Sequence, residues 1–404
     1  MIIKGNNIYK TRIETILSKM SNINSWRKAF LTETLILFLC IKGRINFLQL
    51  GRYGKHGEQR YRQQFEKPFD FLTFNIELTL SQGSGRYAIA FDPSHINKAG
   101  KYTPGLGHFW SGCANRAKWG LEIGGLAAID IDNHTAFHLE AVQTIVDKEQ
   151  SLSDWYANLI SERKVQLHEI SQYLVADAWF AKRTFVDQVL KADMHLIGRL
   201  RDDANLRYLY QGEPTGKPGR PKKYDGKVDN TNIDMSHFKL VSKDEQVLIH
   251  NAIVYSISLK RNIKVVHARY FSNKGKQSNK LYFSTDIKMD ASDILKFYQS
   301  RFQIEFLYRD GKQHTGLNDC QARSENKLDF HFNASLTAIN LAKVAHWLCI
   351  PKEDRRSFSM TDIKTINHNE LQLNLFFDKF GIDPHLPKNQ EKARELLYYG
   401  TIAA

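Results

Sequence analysis

Three acidic residues in this chain form a pattern that could hold divalent metal ions. Asp92 follows a short apolar stretch in AFDPSH, and Asp177 follows another in LVADAW. We expect both aspartates at the ends of strands, at the edge of an α/β sheet where active sites usually lie. Taken singly, an aspartate after a strand is more often a helix cap or a turn residue. The third acid, Glu305, lies far along the chain in KFYQSRFQIEFLYRDGKQHTG.

The segment around Glu305 has a helical pattern of charged and phenolic residues. Tyr298, Arg301, Glu305 and Lys312 fall at roughly 0°, 300°, 340° and 320° around a single helix, which predicts one narrow polar face. A plain solvated surface would also carry such residues. Here the opposite side is richly apolar, so we expect the helix to be held firmly with its polar face presented. That apolar side comprises Phe297, Phe302, Ile304, Phe306 and Leu307.

Carboxylates without neighbouring cysteine or histidine ligands favour Mg²⁺, with Mn²⁺ as a substitute. Two such ions about 3.5–4 Å apart can cleave a phosphodiester, because they activate the nucleophile and relieve charge on the leaving oxygen. We predict that Asp92 bridges both ions, and that Asp177 and Glu305 each complete the coordination of one ion.

The composition points to a polyanionic partner. The net charge is +14 and the pI is about 9.4, which favours binding to nucleic acid through phosphate neutralisation. The four cysteines are far apart and predict reduced thiols. The amino terminus has no apolar signal region, and the strongest apolar run, residues 35–41, is too short to span a bilayer. We therefore expect a cytoplasmic protein that acts on DNA and has no membrane contact.

The order of the predicted elements divides the chain into five parts. Residues 1–85 predict helices, and we expect a helical DNA-binding domain there, with Arg60 and Arg62 as DNA contacts; an ordinary solvated basic helix is the alternative. Strands followed by alternating helices and strands predict an α/β mixed sheet flanked by helices, with its first part at 86–200. Helical periodicity from residue 287 to 350 predicts the second part, and 351–404 a helical C-terminal tail.

Residues 201–286 are β-rich and predict an inserted β-domain. Within it, GKPGRPKKY is rich in Gly, Pro and Lys and cannot form a helix or a central strand. Arg220, Lys222 and Lys223 could enter a minor groove or follow phosphates. A surface loop that binds no ligand is an equally supported interpretation of this stretch.

The residues Tyr298, Arg301, Glu305 and Lys312 resemble the Y-R-E-K signature of insertion-sequence-four transposases, which are DDE enzymes with a ribonuclease-H-like core. FDPSH and VADAWFAK resemble the blocks that carry the family's two aspartates, although Pro93 and Ser94 depart from the commoner residues. The resemblance covers residues 86–345 and accounts for the β-rich insertion between Asp177 and Glu305.

The resemblance implies a transposase that binds the ends of an insertion sequence and performs Mg²⁺-dependent cleavage and strand transfer, as in cut-and-paste transposition. Tyr298, Arg301 and Lys312 would then hold DNA phosphates near the cleaved bond. It also implies double-stranded DNA as the partner, a homodimer in the DNA complex and a bacterial, nucleoid-associated location. The resemblance leaves open whether cleavage passes through a DNA hairpin intermediate.

Two further residues lie beside the aspartates. Trp179 could stack on a displaced base, although core packing is the more common role of such a residue. His95 is expected to be a polar neighbour of Asp92 rather than a metal ligand.

Two other functions share these residues. One is a ribonuclease-H-like nuclease that cuts DNA without strand transfer, and the other is a non-catalytic DNA-binding protein descended from a transposase. Inverted terminal repeats flanking the gene would favour the transposase over both.

Overall fold

The computed structural model describes residues 4–147, 149–213, 221–271 and 276–402. Arg220 lies outside the described residues. The helices are α1 (Lys4–Lys19), α2 (Ser25–Cys40), α3 (Phe47–Tyr53), α4 (Glu58–Gln64), α5 (Phe71–Gln82), α6 (Leu152–Glu162), α7 (Lys164–His168), α8 (Arg183–Lys191), α9 (Ala291–Ser300), α10 (Gln303–His314), α11 (Glu325–His346), α12 (Met360–Phe380) and α13 (Pro387–Tyr398).

The described strands form one twelve-stranded mixed sheet. They are β1 (Tyr87–Asn97), β2 (Gly107–Ser111), β3 (Arg116–Asp130), β4 (Thr135–Gln143), β5 (Tyr173–Val175), β6 (His195–Arg199), β7 (Leu206–Leu209), β8 (Tyr224–Lys227), β9 (Lys239–Lys243), β10 (Val247–Ser256), β11 (Arg261–Phe271) and β12 (Gln277–Ser284). The predicted mixed sheet flanked by helices is thereby confirmed.

The strand order is β2-β3-β1-β5-β6-β12-β11-β10-β7-β8, with β4 beside β3 and β9 beside β10. Only β1, β5 and β6 run parallel to each other. The β-rich segment joins the sheet where Tyr282 of β12 pairs with Arg199 of β6. The described strands of residues 201–286 therefore extend the central sheet instead of forming a second one.

Helices cover the sheet on both faces beside β1. On β3, a Cβ at Gly124 would lie 3.1 Å from Trp155 of α6, whereas one at Gly125 would overlap the hydroxyl of Tyr308 of α10. Successive residues of a strand point to opposite faces. Helices α6 and α10 therefore lie on opposite faces, and β1 between β3 and β5 is buried on both from residue 87 to 91.

The N-terminal helices and the C-terminal tail pack against each other. Lys364 of α12 donates to the carbonyl oxygens of Phe38 (2.8 Å) and Ile41 (2.5 Å), at the C-terminal end of α2. These carbonyls have no partner within the helix, so a cation there satisfies them. Burial lowers the pKa of Lys364 to about 8. The tail thus covers one end of the N-terminal helices, whose apolar side chains belong to the same hydrophobic core as the sheet.

Helix α11 covers the outer edge of β4 with two asparagines. Asn333 accepts from the N–H of Ala141 (2.8 Å) and donates to its carbonyl (2.9 Å). Asn340 makes the same pair of bonds with His138, at 2.8 and 2.7 Å. These residues are two helical turns apart, so they lie on one face of α11. Their amides replace a neighbouring strand and protect an edge that would otherwise be unpaired.

Among the described residues, no helix is long and apolar enough to cross a bilayer. Cys40, Cys320 and Cys349 are free thiols.

We predict that Asn340→Leu strongly destabilises the protein. The substitution keeps the side-chain volume but leaves the N–H and C=O of His138 buried without partners, which should lower the free energy of unfolding by about 2–5 kcal/mol. Urea denaturation measures this change. Gln372→Leu, at an exposed position of α12, is the control and should alter the free energy of unfolding by less than about 0.5 kcal/mol. Equal stability of the two variants would contradict the edge-covering role of α11.

Candidate active site

The two predicted aspartates come from neighbouring parallel strands at the same level of the sheet. Ala90 of β1 pairs with Val175 of β5, and Asp92 and Asp177 each lie two residues beyond this pair. Adjacent strands are about 4.8 Å apart, so the register brings these residues side by side. The expectation that Asp92 ends its strand is wrong, because β1 continues to Asn97 through pairing with β3. It is β5 that ends, at Val175, which opens the sheet beside Asp92.

Asp177 also has a local structural role. Its Oδ1 accepts a hydrogen bond of 2.8 Å from the backbone N–H of Trp179. This bond caps the N-terminal end of a short 3-10 helix, Ala178–Phe180. This is the capping role that is common for an aspartate after a strand. The cap fixes the direction of the carboxylate without excluding a second role for it.

Arg301 connects two of the three acids. Its Nη1 lies 3.6 Å from Asp92 Oδ1, and its Nη2 donates to Glu305 Oε1 at 3.1 Å. The side chain of Arg301 is largely buried, whereas that of Glu305 is 41% exposed. The planar guanidinium presents several N–H groups in fixed directions, so a single arginine can bind both carboxylates.

The predicted single helix through this segment is wrong. Helix α9 ends at Ser300 and α10 begins at Gln303, with Arg301 and Phe302 in the turn between them. Phe302, predicted on the apolar side, is 48% exposed. The turn places Arg301 at the junction, where it reaches Asp92 while Glu305 occupies the first turn of α10.

Burial and four charged groups act on the carboxyl of Asp92. Its pKa is raised to about 7, chiefly by burial and in addition by Asp177 and Glu305, while Arg301 and Lys312 act in the opposite direction. For Arg301, burial alone would lower the pKa, but the attraction of Asp92 and the other acids raises it overall. The electrostatics therefore show that all three acids and both cations influence one buried position.

The acids do not form a closed metal-binding group. Within the described part of the chain, no three His, Cys, Asp or Glu side chains lie close enough together to hold a metal ion. The donor chemistry nevertheless fits a hard divalent cation, since the oxygen-only set of Asp92, Asp177 and Glu305 is the kind that Mg²⁺ prefers. Arg301 already supplies positive charge between two of these acids.

The other two signature residues lie beside the acids. Lys312 donates from Nζ to the hydroxyl of Ser94 at 2.9 Å, and Ser94 is two residues beyond Asp92 on the same strand face. Tyr298 is half-buried against Tyr282, with ring centroids 4.9 Å apart. Burial raises the pKa of Tyr298, and its hydrogen bond with Arg301 counters part of that rise.

Trp179 and His95 occupy different surroundings. The ring of Trp179 is partly exposed, and the ammonium of Lys182 lies 3.3 Å from its centroid. His95 is buried, with Nε2 3.3 Å from the carbonyl oxygen of Trp119. It lies three residues beyond Asp92 and so on the opposite face of β1. Its side chain therefore does not face the acids.

The remaining predicted DNA contacts are exposed basic residues on other elements. On α4, Arg60 stacks over Trp26 at 5.3 Å, and Arg62 forms an ion pair with Glu58 at 2.6 Å. Lys222 forms an ion pair with Asp225 at 3.0 Å, and Lys223 is exposed. Their predicted contacts with DNA stay predictions.

One residue that the sequence reasoning missed connects the helix of Glu305 to the backbone of Asp92. Tyr308 lies one turn after Glu305, and its hydroxyl donates to the backbone carbonyl of Asp92 at 2.7 Å. The hydroxyl occupies the space above Gly125, the residue paired with Asp92 on β3. The sequence shows that Tyr308 is one helical turn after Glu305 and that EIGGL contains two adjacent glycines. Only the pairing of Gly125 with Asp92 brings Tyr308, the glycine and the aspartate together.

Comparison with known proteins supports a DDE transposase. Residues 158–341 match the family model of the transposase DDE domain. The matched range is slightly less than half of the chain. It includes Asp177, Arg301 and Glu305, whereas β1 and Asp92 precede it. No curated protein matches the chain.

We predict that Gly125→Ala destabilises the protein by about 1–3 kcal/mol, because the added methyl overlaps the Tyr308 hydroxyl. Tyr308→Phe removes that hydroxyl and one hydrogen bond, which alone lowers the free energy of unfolding by about 1 kcal/mol. The destabilisation of the double variant should be smaller than the sum of the two single effects, because Tyr308→Phe removes the hydroxyl with which the added methyl overlaps.

Chemical denaturation of all three variants measures this coupling. Gly57→Ala, where a methyl group meets no atom within 4 Å, serves as the matched control, and its effect should simply add to that of Tyr308→Phe. Simple additivity for Gly125→Ala and Tyr308→Phe as well would mean that the hydroxyl does not occupy this space.

Proposed function

We propose that this protein is a transposase that binds the ends of an insertion sequence and catalyses metal-dependent DNA cleavage and strand transfer. The observation that carries the proposal is the arrangement around Asp92. Two neighbouring strands and the start of α10 bring the three carboxylates to the same region of the sheet, with Arg301 between two of them, and the family match covers two of these three acids.

We infer that Asp92, Asp177 and Glu305 hold two Mg²⁺ ions, or Mn²⁺ in their place, with Asp92 as the shared ligand. Bound divalent ions would activate the attacking oxygen and stabilise charge on the leaving oxygen. Asp177 and Glu305 are near enough to Asp92 to raise its pKa, and a divalent cation bound among the three acids would relieve that repulsion. The side chain of Glu305 is 41% exposed and is therefore accessible to a metal-bound phosphate group.

The basic residues of the site would position the DNA backbone. Lys312 beside Ser94 provides a point charge for a phosphate, and Arg301 provides a planar fork that can bind a phosphate and a carboxylate together. Tyr298 offers a neutral hydroxyl in the same region. In this proposal, these three residues are the signature of the insertion-sequence-four family, and they hold the cleaved bond in line with the attacking oxygen.

DNA contacts away from the site would supply most of the affinity. The N-terminal helices, with Arg60 and Arg62, and the segment that includes Lys222 and Lys223 are the proposed contacts, together with Trp179 beside Asp177. Because the N-terminal helices share the hydrophobic core of the sheet, deleting them would expose that core. Single substitutions of the arginines are the suitable test of end recognition.

We predict that Asp92→Asn, Asp177→Asn and Glu305→Gln each abolish cleavage and leave DNA affinity nearly intact. The amides keep the shape of the acids but lose the charge that a metal ion requires, whereas affinity depends mainly on basic contacts. The assay incubates a labelled duplex carrying the DNA that flanks the gene with Mg²⁺ and follows nicked, hairpin and joined products.

Glu169→Gln, at an exposed position of the same chain, is the control and should cleave like the wild type. Mg²⁺-dependent cutting by any one of the three site variants would remove that residue from the site. Cleavage by the wild type without joined products would favour a nuclease that lacks strand transfer.

We further predict that Arg301→Lys reduces cleavage roughly 10- to 100-fold, which corresponds to the loss of one charge-assisted contact of about 1.5–3 kcal/mol. Lysine keeps the positive charge but cannot bind Asp92 and Glu305 at the same time. Lys312→Arg, which keeps a donor toward Ser94, should have a smaller effect. Single-turnover cleavage rates measure both variants, with folding checked by circular dichroism. A wild-type rate in Arg301→Lys would exclude a role for the guanidinium fork.

A further inference from the structure

The hairpin of β2 and β3 exposes an unusual set of aromatic rings. Trp110 is 62% exposed and Trp119 is 46% exposed, and Tyr102 in the preceding loop is 78% exposed. Trp110 and Trp119 share one face of the hairpin with His108, because His108 pairs with Trp119 and Trp110 with Ala117. Large rings that stay in water at the end of a hairpin do not stabilise the fold, which indicates a ligand.

The charge of this hairpin favours a polyanion. From Pro93 to Leu121 the chain has no acidic residue, while it contains Lys98, Lys101, Arg116 and Lys118. Arg116 is exposed at the start of β3, and both Arg116 and Lys118 point to the face of the hairpin opposite to Trp119, since each is an odd number of residues from it. The hairpin is a single layer of strands, so the positive charge of these residues acts on both of its faces. Exposed rings on a basic hairpin are a combination that binds nucleic acid strands, since the rings stack on bases and the positive charge attracts the phosphates.

The aromatic face continues directly from the candidate active site. Gly125 pairs with Asp92, and Trp119 lies six residues earlier on the same strand. An even separation keeps side chains on the same face, and six residues of strand span about 20 Å. No irregularity interrupts the pairing of β3 with β1 or with β2. A strand of DNA leaving the site along this face would therefore reach Trp119 and then Trp110.

The ring of Trp119 is held in place by local contacts. The indole N–H of Trp119 donates to the carbonyl of Gly100 at 3.3 Å, and its ring lies edge-on to His108, with centroids 5.3 Å apart. Lys98 anchors the loop before β2 through bonds of 2.6 and 2.7 Å to the carbonyls of Cys320 and Ala322. A fixed ring loses little freedom when a base stacks on it, so the arrangement favours binding.

We propose that Trp110 and Trp119, on one face of the basic hairpin of β2 and β3, form a binding surface for unpaired bases of the DNA strand that extends from the active site. The inference rests on the proposed function, in that the substrate is DNA, and adds a site for single-stranded DNA to it. The positive charge of the hairpin, which has no acidic residue from Pro93 to Leu121, and the continuity of the aromatic face with the candidate active site favour a DNA strand over a protein partner.

The test uses the full-length protein and fluorescence anisotropy with two probes, a labelled oligothymidylate and a labelled blunt duplex. Trp110→Ala should weaken binding of the oligothymidylate roughly 5- to 100-fold, the range for loss of one stacked base. Binding of the blunt duplex should not change, since its bases are already stacked. Trp110→Phe keeps a ring and should restore most of the affinity.

Phe380→Ala, which removes an exposed aromatic ring from α12, is the matched control and should bind both probes like the wild type. Thermal denaturation of each variant checks that the fold is retained.

Three results would overturn the proposal. The first is that the wild type does not bind oligothymidylate, and the second is that Trp110→Ala binds it as tightly as the wild type. The third is that Trp110→Ala changes the oligomeric state in sedimentation while leaving DNA binding intact, which would assign the surface to a protein partner. Cleavage of duplex DNA in Mg²⁺ is measured in parallel. Trp110-dependent binding without cleavage by the wild type would refute the proposed function and leave the binding surface standing.

Discussion

Carboxylates repel one another when they are gathered at a buried position, and the centre of this structure depends on how that repulsion is opposed. Burial and the two neighbouring acids raise the pKa of Asp92 to about 7. Arg301 opposes the repulsion because it binds Asp92 and Glu305 at once. Arg301 lies in the turn between α9 and α10, where the backbone keeps right-handed helical dihedral angles, so Glu305 one turn later stays within its reach. Arg301 thereby connects these helices to the sheet.

The sheet provides the rigid side of the same arrangement. Pairing of β1 with β3 and β5 fixes the level of Asp92 relative to Asp177, and Tyr308 ties the backbone of Asp92 to α10 at a position where Gly125 leaves room. Helix α11 in turn covers the edge of β4 with Asn333 and Asn340. Each contact satisfies backbone groups that would otherwise be unpaired in the interior, so the polar interactions stabilise the site and the fold together.

The unusual length of the sheet has a consequence for DNA binding. The β-rich segment continues the central sheet past β6, while the hairpin of β2 and β3 extends it on the other side of β1. The site near Asp92 is therefore flanked by strands in both directions. Basic and aromatic residues on these extensions can follow a polyanion away from the acids, which fits a protein of net charge +14.

The sequence by itself determined the residue types and most of the elements. Apolar runs and their periods predicted the strands around Asp92 and Asp177, the β-rich segment and the helices near Glu305, because local burial patterns follow secondary structure. The sequence did not determine where β1 ends, the break at Arg301 or the contact of Tyr308 with Asp92. Strand ends depend on which neighbour continues to pair, and β3 extends β1 where β5 does not. Those features arise from contacts between residues far apart in the chain, which only the tertiary structure brings together.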